Sequence, residues 1–214
     1  MISNLEFNVL YDNGNPLCFI GDSNGGKEMF EYFSQYRHCE KIRYEEVLTK
    51  DQEWVDSRQF IAITPSIKFK KTIIDGISHL NPNYFSIYST QNHIGFNVAI
   101  GRGVLIYSFN SILDGVNIGD HVVITTHTNL SYMSTVKDFC HIGPYSQILI
   151  STIGKGCYMA ARTSVVGTKE KPTLVTDYCN FIIGSAVTKD IECAGTYHGN
   201  RLLDKFTSLD RKID

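Results

Sequence analysis

The sequence predicts a small α/β unit followed by an all-β parallel β-helix, and three observations carry that expectation. Every sixth residue from 94 to 148 is aliphatic, with isoleucine at eight of the ten positions. Four residues after each of the first nine comes a smaller side chain: Val98, Val104, Asn110, Val116, Val122, Thr128, Ser134, Cys140 and Ser146. Upstream, apolar runs at residues 17–20 and 60–63 each lead through a turn into a segment with helical spacing. A helix needs an apolar period of about 3.6 residues and a two-faced strand a period of about 2, and neither fits a beat of six. A bulky slot and a small slot repeating every six residues mark a stacked coil, each hexad forming one side and both slots pointing inward. Gly95, Gly101, Gly119 and Gly143 directly follow inward isoleucines, a placement that suits tight backbone bends.

The bulk numbers narrow the function classes. At 214 residues the chain suits one domain or two small ones, and a formal charge of -2 with 43% hydrophobic residues describes a globular protein. No broad basic field is present, so nucleic acid is not an expected partner. The six cysteines (Cys18, Cys39, Cys140, Cys157, Cys179, Cys193) form no CxxC pair and read as free thiols in a reducing compartment. Residues 1–16 lack an apolar signal core and no apolar run is long enough to span a bilayer, which points to the cytoplasm and away from a membrane partner.

Taken in order, residues 5–11 suggest a strand and residues 13–16 a turn. Residues 17–20 read as a buried strand, ended by Gly21-Asp22-Ser23-Asn24-Gly25-Gly26. Met29, Phe30, Phe33 and Tyr36 then fall at helical spacing over residues 27–36. Strand, glycine turn and helix together begin a nucleotide-binding βα unit, in which backbone N–H groups at the helix end meet phosphate; the same pattern also fits a turn that binds nothing. A charged segment, residues 41–56, precedes a second strand at 60–63. Thr64-Pro65-Ser66 opens a second helix whose Lys68, Lys70 and Lys71 read as a solvated face or a local anion cradle. Residues 84–88 form a third strand leading into the repeats. After Ile148 the beat slips by one residue to Ile153, continues through Met159 and Val165, and is interrupted by a charged insertion at 167–173. It returns at Val175, Phe181 and Val187. The expected domains are 1–90 (α/β, nucleotide-sugar binding), 91–191 (β-helix) and a capping tail, 192–214, ending in a short helix.

This succession resembles the left-handed β-helix sugar N-acyltransferases of bacteria, closest to the bacillosamine/sialic-acid type that acetylates nucleotide-linked amino sugars. The resemblance rests on the Gly21–Gly26 turn, on Ala62-Ile63 before a lysine-bearing helix, and on Ile183-Gly184-Ser185-Ala186-Val187-Thr188-Lys189-Asp190 in the last coil. It implies left-handedness, a homotrimer, acetyl-CoA as co-substrate in the groove between neighbouring β-helices, no metal, a nucleotide-linked amino sugar as acceptor, and a place in surface-glycan synthesis. It also implies that Gly21, Asp22, Ser23, Asn24, Gly25 and Gly26 hold the acceptor's nucleotide. By the same likeness Ile150, Ser151, Ala161, Arg162, Gly184 and Lys189 lie along CoA.

The family uses a histidine base and, nine residues later, a second histidine facing the acetyl group. The later one matches His141; the base position falls on Tyr132. An unperturbed tyrosine, with a pKa near 10, is a poor base at neutral pH. Three readings follow: positioning suffices without the usual base, His141 or the nearby His127 takes the proton, or the scaffold binds nucleotide sugar and CoA without turning them over. His121 and His127, three residues past inward isoleucines, are expected to point outward on adjacent faces. Ala160-Ala161-Arg162 replaces the family's glycine pair, and Arg162 either grips a CoA phosphate or covers the groove. A zinc hydratase on the same scaffold needs three converging histidines, whereas His121, His127 and His141 lie on different columns of the coil.

Overall fold

The computed structural model describes residues 7–21 and 23–205. It divides into two compact units, residues 9–86 and a larger one that begins at Ile87 and also takes Phe7 and Asn8.

Strand β1 (Phe7–Leu10) belongs to the longest sheet, that of the larger unit, and the N-terminal unit's own sheet begins with β2 (Leu17–Ile20), every residue of which is buried. Of the strand expected at 5–11, residues 5 and 6 lie outside the described residues. Helix α1 (Asn24–Phe33) starts three residues earlier than expected. Ser23 is the reason: its hydroxyl accepts from the Gly26 amide at 3.1 Å and donates to the Ile63 carbonyl at 2.7 Å, so the turn is already the helix cap. The charged segment hides β3 (Cys39–Ile42) and two short helices, α2 (Tyr44–Val47) and α3 (Gln52–Asp56). Asp51 caps α3, and Arg58 forks onto Glu40 at 2.8 and 3.0 Å, so these charges serve local structure. Strand β4 (Gln59–Ala62) and helix α4 (Ile67–Ile77), capped by Ser66, complete a parallel sheet in the order β3-β2-β4. Phe19 of β2 meets Phe30 and Phe85 edge-on and stacks on Phe33. Lys70 departs from the solvated face: it is 3% exposed, and burial pulls its ammonium down to about 7.

One ion pair in this unit gives a pH expectation. Arg37 donates to both carboxylate oxygens of Asp12, at 2.6 and 3.2 Å, and to the Asn15 carbonyl at 2.7 Å. That pairing holds the Asp12 carboxyl down at about 2, from 3.8. Because the folded value is the lower one, the contribution is present above pH 4 and is lost as pH falls toward 2. Asp12 is 38% exposed, and with screening discounted the contribution is about 1 kcal/mol. Urea melts of the wild type and Asp12→Asn at pH 7 and pH 3 should therefore differ more at pH 7 than at pH 3; an equal difference at both overturns this account.

From β5 (Ser86–Ser89) onward the chain winds as a three-faced parallel prism. The first face carries His93–Ile94, Ser111–Ile112, Asn129–Leu130, Gln147–Leu149, Ser164–Val166 and Ala186–Val187. The second carries Ala99–Ile100, Asn117–Ile118, Thr135–Val136, Ser151–Ile153 and Thr173–Val175. The third carries β5, Leu105–Ile106, Val123–Ile124, His141–Ile142, Tyr158–Met159 and Cys179–Phe181, then Gly195–His198. In the regular coils partners on each face are 18 residues apart, as Asn117 is from Thr135, so three hexads make one coil. The slip after Ile148 is present as the pairing Val136↔Ile153, and the beat after the insertion as Ile153↔Val175. Ile106, Ile112, Ile124, Ile142 and Ile148 are fully buried, together with the small slots Val104, Val122, Ser134 and Ser146. Each such isoleucine contributes about 1.5–3 kcal/mol by leaving water. Cys140 and Cys157 donate from inward slots to the Gly154 and Thr176 carbonyls, and burial pushes the Cys157 thiol well up, so these are packing thiols.

The glycines after the inward isoleucines are not the bends. Asp114, Asp120 and Asp138 accept from the backbone N–H groups of Phe96, Arg102 and Asp120 in the preceding coil, at 2.7–3.0 Å. A Cβ on Gly95, Gly101 or Gly119 would collide with those carboxylates. The bends fall two residues later, where Asn97, Phe109, His121, His127, Met133, Phe139 and Tyr145 take left-handed φ of 54–65°. Aromatic residues seldom sit there, and stacking from coil to coil offsets part of the strain. Gly195–His198 turns back on Arg201–Lys205 as an antiparallel hairpin, and the short helix expected at the end of the tail falls on residues 206–214, which lie outside the described residues.

Candidate functional site

His141 sits one residue before the inward Ile142, so it takes the outward position of the third face and is half-buried. Register places it between Val123 in the preceding coil and Tyr158 in the next. Its imidazole stacks on the Tyr158 ring at 5.1 Å between centroids and 21° between planes.

The corner between the third and first faces adjoins this strand. There His127 (φ 58°) is exposed and lies between Phe109, at 5.2 Å, and Tyr145, at 4.8 Å and 16°. Arg162 (φ 58°) and Gly184 (φ 74°) hold the same corner in the next two coils, with Ala161 beside Arg162. His141, His127 and three of the expected CoA residues therefore share one side of the prism. The expectation that His121 points outward is corrected: it is 6% exposed and stacks on Phe139 at 5.0 Å. A left-handed corner aims the side chain along the prism, and Gly103, which has no room for a Cβ beside the His121 ring, lets it lie flat.

Tyr132 is elsewhere. It is 54% exposed beside Met133 at the corner between the first and second faces, the corner opposite the third face. Within one chain the structure does not bring Tyr132 and His141 together. Ile150 (φ 47°) and Ser151 belong to that opposite corner, where Ser151 is buried and donates to the Leu149 carbonyl at 2.7 Å. Lys189 is exposed on the approach to it. The six residues expected along CoA thus divide between two corners that flank the first face.

Of the glycine turn, Asp22 lies outside the described residues. Gly21 has φ 120°, and a Cβ on it would stand 2.9 Å from the Ile63 carbonyl oxygen, so only glycine fits. Ser23 caps the helix, Gly26 is buried beneath it, and Asn24 and Gly25 begin the first turn. Their N–H groups have no carbonyl a turn earlier to meet. Among the described residues no group of three His, Cys, Asp or Glu is placed to hold a metal ion. No helix there is long and apolar enough to cross a membrane.

Sequence reasoning missed Tyr145 and Tyr158. The signal was present at the coil period: Tyr145 is His127 plus 18, and Tyr158 is His141 plus 17, the slip having removed one.

A three-faced parallel coil that follows a small α/β unit in sequence matches, in fold, solved structures of left-handed β-helix acetyltransferases. The acetyltransferase domain of PglB from Neisseria gonorrhoeae FA1090 matches with a TM-score of 0.76 at 16% identity, over 89% of this chain and 100% of that one. WeeI from Acinetobacter baumannii AYE matches with a TM-score of 0.68 at 18% identity, over 87% of this chain and 99% of its own. A histidine-to-alanine variant of GDP-perosamine N-acetyltransferase from Caulobacter crescentus, in complex with CoA and GDP-perosamine, matches with a TM-score of 0.75 at 12% identity, over 94% and 100%. At these identities the likeness is one of fold. No family profile matches the sequence, and no curated protein sequence does.

Proposed function

We propose that the protein is an N-acyltransferase that moves an acetyl group from acetyl-CoA to the amine of a nucleotide-linked sugar, in the cytoplasm, for surface-glycan synthesis. The observation that carries this reading is the half-buried His141 on the third face, its ring held by Tyr158, in a fold whose Caulobacter crescentus example holds CoA and GDP-perosamine together. In the reaction the amine nitrogen bonds to the thioester carbonyl carbon, the oxyanion collapses, the C–S bond breaks, and the ammonium proton is lost. His141 donates to the developing oxyanion or takes that proton; His127, on the adjoining corner, is the nearest other imidazole along the chain. Arg162, Ala161 and Gly184 line the CoA path on this side. The glycine turn, through the amides of Asn24 and Gly25 with Gly21, Ser23 and Gly26 shaping it, takes the nucleotide end of the acceptor.

A homotrimer belongs to the proposal. Tyr132 lies across the prism from His141, so a neighbouring copy has to supply one to the other; Ile150, Ser151 and Lys189 would reach CoA by the same packing. The corner that carries Tyr132 exposes Phe96 at 82% and Met133 at 61%, which suits burial against a second copy.

Tyr132 in place of a histidine also favours a second reading, a scaffold that binds CoA and nucleotide sugar without turnover. A thiol-detection assay separates the two. The protein with acetyl-CoA and a panel of UDP-, dTDP- and GDP-linked amino sugars is expected to release free CoA only when an acceptor is present. Binding of both ligands with no release selects the second reading.

A further inference from the structure

We propose that Tyr158 is a positioning residue for His141, fixing the plane of the imidazole so that only its nitrogen-bearing edge is offered to the acyl group; this rests on the function proposed above. The two residues are direct register partners on adjacent strands of the third face. Strands about 4.8 Å apart bring the side chains of register partners side by side from coil to coil. At 5.1 Å and 21° the phenol ring stands over that face of the imidazole and opposes its tilting toward the next coil. In the preceding coil the outward position belongs to Val123, only 6% exposed, which offers a smaller, aliphatic surface. Tyr158 is the aromatic side of the pair and is itself 38% exposed, so it borders the volume a ligand would occupy without filling the core.

This placement differs from a packing role in one respect. Inward positions of the same coil, Cys157 and Met159, are fully buried and carry the stability, whereas Tyr158 points away from them. Its removal should therefore change how His141 is held more than whether the coil stands. Stacking needs an aromatic ring and not the hydroxyl, so phenylalanine should serve and leucine should not.

The test uses the full chain with an acceptor that supports CoA release. Tyr158→Leu is expected to lower kcat by about tenfold with KM for acetyl-CoA within about twofold. Tyr158→Phe should stay within about twofold of wild type in both, and both variants should melt with the wild type. In carbon-resolved NMR spectra the His141 ring-proton signal, assigned by its loss in His141→Ala, should move in Tyr158→Leu and stay in Tyr158→Phe. Wild-type turnover with an unimpaired Tyr158→Leu overturns the positioning role alone and leaves the acyltransferase standing. So does a loss in Tyr158→Leu that tracks a lowered melting temperature or appears only in KM. A wild type that releases no CoA with any acceptor overturns both.

Discussion

Replacing His141 by alanine is expected to lower acceptor-dependent CoA release by about 10²–10⁴-fold, with the melting temperature unchanged. The range follows from what one proton-transfer group or one oxyanion donor contributes. The unchanged stability follows from the outward, half-buried position of the side chain, since the inward Ile142 remains in place. His141→Gln separates the two roles: an amide can still donate to an oxyanion but is a poor base, so partial recovery assigns donation and no recovery assigns proton transfer. Full turnover in His141→Ala removes His141 from the chemistry, and with it the observation on which the proposed function stands.

Gly143→Val is expected to destabilise the prism by about 3 kcal/mol, through overpacking that relaxation cannot relieve. A Cβ there would stand 2.6 Å from the Met159 carbonyl oxygen, 2.7 Å from the Ala160 carbonyl carbon and 2.8 Å from the Ala161 nitrogen. All three are backbone atoms of the next coil, so no side chain can swing aside. For a chain of this size that cost lowers the melting temperature by about 6–12 °C. Gly115 is the control: it has φ +72°, and a Cβ on it would meet nothing within 4 Å, so its requirement is conformational and not steric. Gly115→Asn, which tolerates the left-handed region, should melt close to the wild type. Equal losses at the two positions would mean that coil spacing does not set the demand for glycine after the inward residue.

The prism was legible because one physical rule, a large and a small inward slot per side, repeats at every turn and shows in one dimension as a period. Even the slip at Ile153 could be read, since the beat resumes beyond it. The N-terminal unit was legible only where apolar runs mark strands. β3, α2 and α3 were hidden because their charges are spent on caps and on the Arg58–Glu40 fork, and composition does not distinguish a fork from a solvated surface. The burial of Lys70 escaped for the same reason. The candidate site was legible in part. His141 could be placed by likeness and register, but Tyr158 becomes its neighbour, and Tyr145 that of His127, only when the chain is read one whole coil (17 or 18 residues) at a time. Aromatic residues at left-handed corners run against the local preference for glycine and asparagine, because contact between coils outweighs local strain there. The separation of Tyr132 from His141 depends on which corner lies opposite which face, information that no local pattern contains.

The turn length has an evolutionary corollary. Because partners along a face are 18 residues apart, duplication or loss of one complete circuit would lengthen or shorten the column while every surviving side chain keeps its compass bearing. Gain or loss of a single hexad would instead rotate everything downstream by one face and swing the imidazole away from its neighbours. Size changes in descendants of this chain should therefore come in whole circuits or as bulges like the one at 167–173.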